Sequence, residues 1–392
     1  MHITMIGQTL QANVLAELWR NVGNCVHHEP SLKGIDIERL PAQMDILCLC
    51  VPSHELERAA DFLRSFVAHA PPKLMINGAT FGLHGTAQLA HIYDQAPWCY
   101  LPDIIQEGNA IDSFVDAKQM IVGCDDEHGK MFMQELLRPF FPRPQQILWM
   151  PILDAELTKL SISGMLATRI SYMNDLANIA EKLGVDILNV QQGMAADTRI
   201  GGSYLSAGVG FGGANFSHDI TMLASEFAEN GGKSRLLQQV WEINEDQKEI
   251  LFRKLWHHFD THLQGKVIAI WGAAFKENTS SIQHSPIHKM LSALWAQGAI
   301  VQLHDPKALP KIAAQYGERA DLILCDDLYA ATMGADALCV LTPWPAYFSP
   351  DYARLKTVMR HPLLLDGRNI YDAQYVVAQG LLYEGVGRPC KR

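Results

Sequence analysis

From Asp154 to Leu183 the chain holds one glycine, no proline, and apolar residues at helical spacing, among them Leu157, Leu160, Met165, Leu166 and Ile170. Globular helices run roughly 8–20 residues. A helix this long, ended by Gly184, crosses between domains or forms an oligomer contact. It divides the 392 residues into three expected segments: 1–150, 151–250 and 251–392. Before it, short apolar runs at Ile3–Ile6, Ile46–Val51, Leu74–Asn77 and Met120–Gly123 alternate with helix-like stretches. That alternation belongs to a doubly wound parallel sheet. After it, Lys266–Gly272 is a second strand-to-glycine turn. A helix over Ser285–Gln297 and a strand over Ala299–Leu303, ending at Asp305-Pro306, complete another βαβ unit. The expected class is α/β, with two doubly wound parallel-sheet domains joined by a long central helix.

Hydrophobic residues at 48% and charged residues at 19% exclude disorder as the dominant state. No apolar run reaches the roughly 18–20 residues of a membrane span, so no membrane partner is expected. A net charge of −10 argues against a nucleic-acid partner, because phosphate binding needs clustered Lys and Arg. Met1–Gly7 has no basic n-region or cleavage signal and reads as the start of a mature cytoplasmic protein. The eight cysteines are Cys25, Cys48, Cys50, Cys99, Cys124, Cys325, Cys339 and Cys390. They read as small buried hydrophobes in a reducing compartment. Cys48-Leu49-Cys50 has the wrong spacing for a zinc knuckle, and the histidines form no HExxH pattern. No metal site is expected.

Gly7-Gln8-Thr9-Leu10-Gln11-Ala12 is an altered dinucleotide fingerprint. Gly7 allows the tight turn and Ala12 is an accepted third position, but Thr9 stands where glycine lets the backbone approach a pyrophosphate. Glu29, about 20 residues on, can take a ribose 2′-hydroxyl. Glycine fills four of the six positions from 208 to 213, so that stretch is a ligand-cradling loop or a flexible surface loop. Asp219 follows six residues after Gly213. Lys159, among apolar neighbours, is a general base, an oxyanion donor or a snorkelling surface lysine. Lys276 and Arg368 follow apolar runs and so sit near strand ends, where ligands collect in parallel sheets.

Taken in order, these segments resemble the UDP-glucose/GDP-mannose dehydrogenase family. The carrying strings are Pro102–Gly108 (like PEFLxEG), Ala155–Lys159, Arg169–Asp175 and Asp197–Gly201. Further on come Gly208–Gly213, Gly272–Lys276, Ser285-Pro286, Asp305-Pro306 and Asp366–Asn369. The resemblance implies two Rossmann-like domains, a homodimer built on the long helix, and a role in polysaccharide biosynthesis. It implies oxidation of the C6 hydroxyl of a nucleotide sugar, UDP-glucose-like, to a carboxylate with NAD. Carried over residue by residue, it implies substrate contacts at Asp103, Gln106, Glu107, Lys159, Ser163, Arg199, Tyr204, Gly208, Phe211, Gly212, Lys276 and Arg368. Arg199 would reach the neighbouring subunit's site. Cofactor contacts would fall at Gly7, Thr9, Ala12, Glu29, Ser53, Glu107, His218 and Gln283, and catalytic positions at Asp103, Lys159, Asn215 and Asp219.

The same alignment marks departures. The family's GGSCFPKD is here Gly212–Asp219, with Asn215 at the cysteine position and His218 at the lysine. Gln283 replaces a cofactor-binding arginine, Ser163 replaces an asparagine, and the stretch between Glu29 and Asp45 is short. The expectation is therefore NAD binding that is weakened. An amide is no nucleophile, because its nitrogen lone pair is delocalised, so the thiohemiacetal route to the acid is expected to be lost. The alternative expectation is a non-catalytic nucleotide-sugar-binding homologue or the partner subunit of an active paralogue.

Overall fold

The computed structural model describes residues 1–389, and the chain divides into two compact units, Met1–Ile162 and Ser163–Arg392. Cys390 lies outside the described residues.

The first unit is built on seven strands: β1 (His2–Ile6), β2 (Cys25–Glu29), β3 (Ile46–Leu49), β4 (Leu74–Asn77), β5 (Trp98–Tyr100), β6 (Met120–Cys124) and β7 (Ile147–Met150). Their order is β2-β1-β3-β4-β5-β6-β7. Chain order reverses on either side of β1, so the carboxyl ends of β1 and β3 flank a switch point, where open α/β sheets take ligands. The sheet is buried on both faces. Ile46, Cys48 and Cys50 pack into one apolar layer, and Leu47, Leu49 and Val51 into the other. This explains why these runs read as continuously apolar rather than alternating.

One pair departs from the expected parallel sheet: β5 and β6 are antiparallel, with Cys99 opposite Cys124. A parallel partner needs a crossover over the sheet face. The connection here contains only the six-residue helix Ala110–Val115, and it turns back. The turn places Pro102–Gly108 just beyond the carboxyl end of β5.

The second unit holds a six-stranded parallel sheet of β8 (Val267–Trp271), β9 (Ile300–His304), β10 (Leu322–Leu324), β11 (Ala337–Val340), β12 (Leu363–Asp366) and β13 (Leu382–Gly385). The order is β10-β9-β8-β11-β12-β13. Helices Ala214–Glu229 and Arg235–Gln247 precede this sheet in the chain. The long helix runs Ile152–Leu183, matching the expected span to within two residues at its start.

Seven cysteines among the described residues are free thiols. Cys48, Cys50, Cys99, Cys124 and Cys339 are buried, as small hydrophobes would be, whereas Cys25 is exposed. Burial pushes the Cys339 thiol up. Among the described residues, no helix is long and apolar enough to cross a membrane.

Candidate functional site

In the first unit, β1 passes through Gly7 into the helix Leu10–Asn21. Gly7 has φ +125°, and a Cβ there would stand 2.0 Å from the Cys50 carbonyl oxygen. No other residue type fits this turn. The Thr9 hydroxyl donates to that same carbonyl at 2.9 Å and accepts the Ala12 N–H at 3.2 Å. Thr9 is thus an N-cap that satisfies one of the helix's orphan donors with the chain's own oxygen. Gln11 is buried and donates to the Leu101 carbonyl at 3.1 Å. Glu29 closes β2, where its Oε1 lies 2.7 Å from His27 Nε2.

These residues fit a dinucleotide. The tight glycine turn, the positive end of a helix at the switch point and a carboxylate at the β2 tip are all in place. At the helix start the Ala12 N–H already has a partner in Thr9.

Elsewhere in this unit Asp103 accepts the Ile105 N–H at 3.2 Å, and the Gln106 N–H donates to Ser113 Oγ at 3.0 Å. Glu107 is half-buried in the same loop, and Ser53 opens the short turn Ser53–Glu55. Lys159 lies on the long helix at 5% exposure. The neighbouring Glu156, which sequence reasoning did not single out, is also buried. It accepts the His84 N–H, the Thr86 N–H and the Thr86 hydroxyl at 2.7–2.8 Å. Burial pushes this carboxyl up, and its hydrogen bonds to Thr86 and His84 oppose the shift.

In the second unit the glycine-rich stretch is held from several directions. The Gly208 N–H donates to Asn174 Oδ1 at 2.9 Å, and its carbonyl accepts from Gln247 Nε2 at 2.7 Å. Asn244 brackets Phe211, accepting its N–H at 2.7 Å and donating to its carbonyl at 3.2 Å. The Gly213 N–H donates to the Gln283 carbonyl at 2.8 Å. A Cβ on Gly212 would stand 2.7 Å from the His284 carbonyl oxygen. The stretch is therefore a clamped loop, not a flexible one. Each such bond contributes roughly 0.5–1.5 kcal/mol net, and more is lost when a buried partner is stranded.

The loop leads through Gly213 (φ +95°) into the helix Ala214–Glu229. Asn215 is exposed in its first turn, and His218 is half-buried. Asp219 is 2% exposed, and Ser163 donates to its Oδ2 at 2.6 Å. That is the short distance of a hydroxyl on a carboxylate. Aromatic rings continue beside the loop. Tyr204 stacks on Phe216 with centroids 6.5 Å apart, and Phe211 meets Phe216 edge-on at 5.1 Å.

Other expected contacts are placed differently. The Arg368 guanidinium donates to the carbonyls of Leu341 at 2.6 Å, Gly210 at 3.3 Å and Phe275 at 3.3 Å. It ties the glycine-rich loop to segments that follow two strands. Burial pulls its pKa down to about 10, which leaves it charged at neutral pH. The Lys276 ammonium lies 5.7 Å from the Phe275 ring centre. Arg199 forks onto Asp197 at 3.0 and 2.6 Å, with its side chain largely exposed. Gln283 contributes its backbone carbonyl to the loop, while its side chain is exposed.

Two family models match the chain. The central domain of the UDP-glucose/GDP-mannose dehydrogenase family matches residues 153–246, and the UDP binding domain of that family matches residues 269–373. The chain is 38% identical over 291 residues to a UDP-glucose 6-dehydrogenase of Pseudomonas aeruginosa, covering 74% of this chain and 64% of that one. It is 33% identical over 291 residues to the UDP-glucose 6-dehydrogenase TuaD of Bacillus subtilis, covering 74% and 62%. It thus spans somewhat less than two thirds of these relatives. Among solved structures, a UDP-glucose dehydrogenase from Pyrobaculum islandicum superposes with a TM-score of 0.86 at 22% identity, covering 99% of this chain and 98% of that one. A UDP-D-ManNAc dehydrogenase from Pyrococcus horikoshii gives 0.82 at 18% identity, covering 99% of each chain. At these identities the likeness establishes the fold.

Proposed function

The chain belongs to the UDP-glucose/GDP-mannose dehydrogenase family, and from that premise we propose that it is a NAD-dependent oxidoreductase acting at the C6 hydroxyl of a UDP-glucose-like nucleotide sugar. On this reading it stops at the aldehyde. One observation carries it: the buried Ser163–Asp219 pair is intact at 2.6 Å, while Asn215 stands where the family holds its thiol.

Asp219 takes the C6 hydroxyl proton, with Ser163 fixing the orientation of the acceptor carboxylate. The family resemblance gives Lys159 the role of an ammonium that would stabilise developing negative charge on O6. The clamped Gly208–Gly213 backbone presents N–H groups to the nucleotide, and Tyr204 offers an aromatic face beside it. Glu29 and the turn at Gly7 hold the dinucleotide. When bound, NAD⁺ accepts the C6 hydride, so the products are aldehyde, NADH and a proton. Going on to the acid requires attack on that aldehyde. The Asn215 amide cannot supply it, though it can donate a hydrogen bond.

The test is incubation of purified protein with NAD⁺ and a panel of UDP- and GDP-sugars, read by absorbance and mass. One NADH per sugar and an aldehyde product are expected. No turnover with any sugar, or acid as the sole product, overturns the reading.

Thr9 bears on cofactor strength. Thr9→Gly is expected to tighten NAD⁺ about tenfold by calorimetry, since it releases the Ala12 N–H for the pyrophosphate. The same change removes an N-cap and is expected to cost about 1 kcal/mol of stability. That Thr9 cap also favours a second reading, a nucleotide-sugar-binding homologue that does no redox chemistry. Undetectable NAD⁺ binding in the wild type, alongside retained UDP-sugar binding, would select it.

We read the long helix as the seam of a homodimer. Met165, Tyr172, Ile179 and Leu183 are 47–69% exposed and recur at intervals of seven, seven and four, which forms one stripe along a helix. Apolar side chains this exposed call for a partner. Tyr172→Glu with Ile179→Glu is expected to yield monomer in sedimentation. An unchanged dimer would place the contact elsewhere.

A further inference from the structure

The carboxyl end of β4 runs into a turn, residues 78–84, and then into the helix Gly85–Ile92. This turn lies against the dinucleotide fingerprint. The Gly78 N–H donates to the Leu49 carbonyl at 2.8 Å, and a Cβ on Gly78 would stand 2.4 Å from Cys50 Sγ and 3.1 Å from Gln11 Oε1. Within the turn His84 has φ +63°. That left-handed conformation is costly for a residue with a β-carbon and persists only where the surroundings enforce it. His84 is the N-cap of the helix, yet its side chain makes no cap bond.

Glu156 supplies the missing cap from 70–72 residues away. One carboxylate oxygen accepts the His84 N–H at 2.8 Å, and the other accepts the Thr86 N–H at 2.8 Å and the Thr86 hydroxyl at 2.7 Å. A carboxylate on the orphan N–H groups of a helix start is a charge-assisted arrangement. The network continues into the sheet. Asn77, the last residue of β4, donates to Thr86 Oγ at 2.8 Å and accepts the Ala79 N–H at 2.9 Å. Glu156, Thr86 and Asn77 are all buried, so water cannot replace a lost partner. On the long helix Glu156 stands three residues before the buried Lys159, and residues at that spacing share a helix face.

We propose that Glu156 is a positioning residue that fixes the turn after β4 for a bound dinucleotide and keeps it in register with Lys159. It acts through His84, Thr86 and the helix that carries Lys159. The inference rests on the reading that the first unit binds NAD. A cap that served the fold alone would change stability and leave affinity as it is, and the experiment separates the two.

That experiment is calorimetric titration of NAD⁺ into the full chain, with thermal melts and steady-state kinetics on the same samples. Glu156→Gln leaves one acceptor oxygen and turns an NH₂ group toward donors. It is expected to weaken NAD⁺ about tenfold and to lower kcat about tenfold. The dissociation constant for the UDP-sugar should change less than about twofold. Asp126→Ala is the control. It removes the cap of another helix in the same unit, Glu127–Leu137, where Asp126 accepts the Gly129 N–H at 2.8 Å. It should lower the melting point and leave NAD⁺ binding as in the wild type. Thr86→Val, which deletes only the hydroxyl, should weaken NAD⁺ about threefold and decides the matter if Glu156→Gln does not fold. Unchanged NAD⁺ binding in the deciding variant, or an equal loss in Asp126→Ala, overturns the inference while leaving the proposed function standing. No turnover with any sugar overturns the proposed function, and the NAD⁺ affinities of the variants still decide the inference. A wild type that binds no NAD⁺ overturns both.

Discussion

Asn215→Cys is expected to change the product from aldehyde to acid, with two NADH formed per sugar instead of one. Position 215 is exposed in the first turn of a 16-residue helix, directly after Gly213. The positive end of a helix lowers a thiol's pKa, so a cysteine placed there gains thiolate character and becomes a competent nucleophile. It would add to the aldehyde carbon; the C6 hydride of that adduct would go to a second NAD⁺, and water would hydrolyse the resulting thioester to the acid and free thiol. The gain in acid formation should reach on the order of 10²-fold, the scale of a first-rank catalytic group. The readout is the ratio of NADH to sugar consumed, together with a mass assignment of the product. A ratio that stays at one, in a variant that still makes aldehyde, would mean that the missing thiol is not what stops the reaction.

The second large effect is expected at Asp219. Asp219→Asn preserves volume and lets Ser163 keep a hydrogen-bond partner, so the fold should persist while the proton acceptor is lost. Alcohol oxidation should fall by about 10²–10⁴-fold, with the dissociation constant for the UDP-sugar changed little. Ser163→Ala should cost much less, about tenfold in kcat, because it removes only the bond that orients the carboxylate. A near-normal rate in Asp219→Asn would remove this residue from the chemistry and reopen Lys159 as the base. Steady-state kcat and KM beside direct binding measurements separate the two cases.

The long helix and both glycine turns were legible because each is a local pattern. Uninterrupted helical spacing marks Ile152–Leu183, and a strand followed by a positive-φ glycine marks Gly7 and Gly272. The strand β5 was not, since three residues carry too little periodicity to register. The antiparallel β5–β6 pair depends on how a loop turns back, which no spacing encodes. At the site, the glycine-rich stretch and Asp219 stood out by spacing, whereas Asn215 was marked only by the resemblance to the family's string. Asn174, Asn244 and Gln247 went unremarked as loop clamps because an amide bonding a backbone 33–39 residues away leaves no mark in composition. Arg368 also carries contacts its place after an apolar strand did not announce: its guanidinium donates to three carbonyls. Glu156 was visible only as part of a string, and its three bonds to the His84–Thr86 segment appear only in three dimensions.

The clamped loop also bears on how such a chain can diverge. Gly208, Gly210 and Gly212 each meet backbone or amide atoms within about 3 Å of where a side chain would begin, so almost any replacement there is penalised by misfolding. Position 215 is exposed in the first turn of a helix. Selection for a folded molecule therefore constrains the backbone at Gly208, Gly210 and Gly212 more tightly than the side chain at position 215.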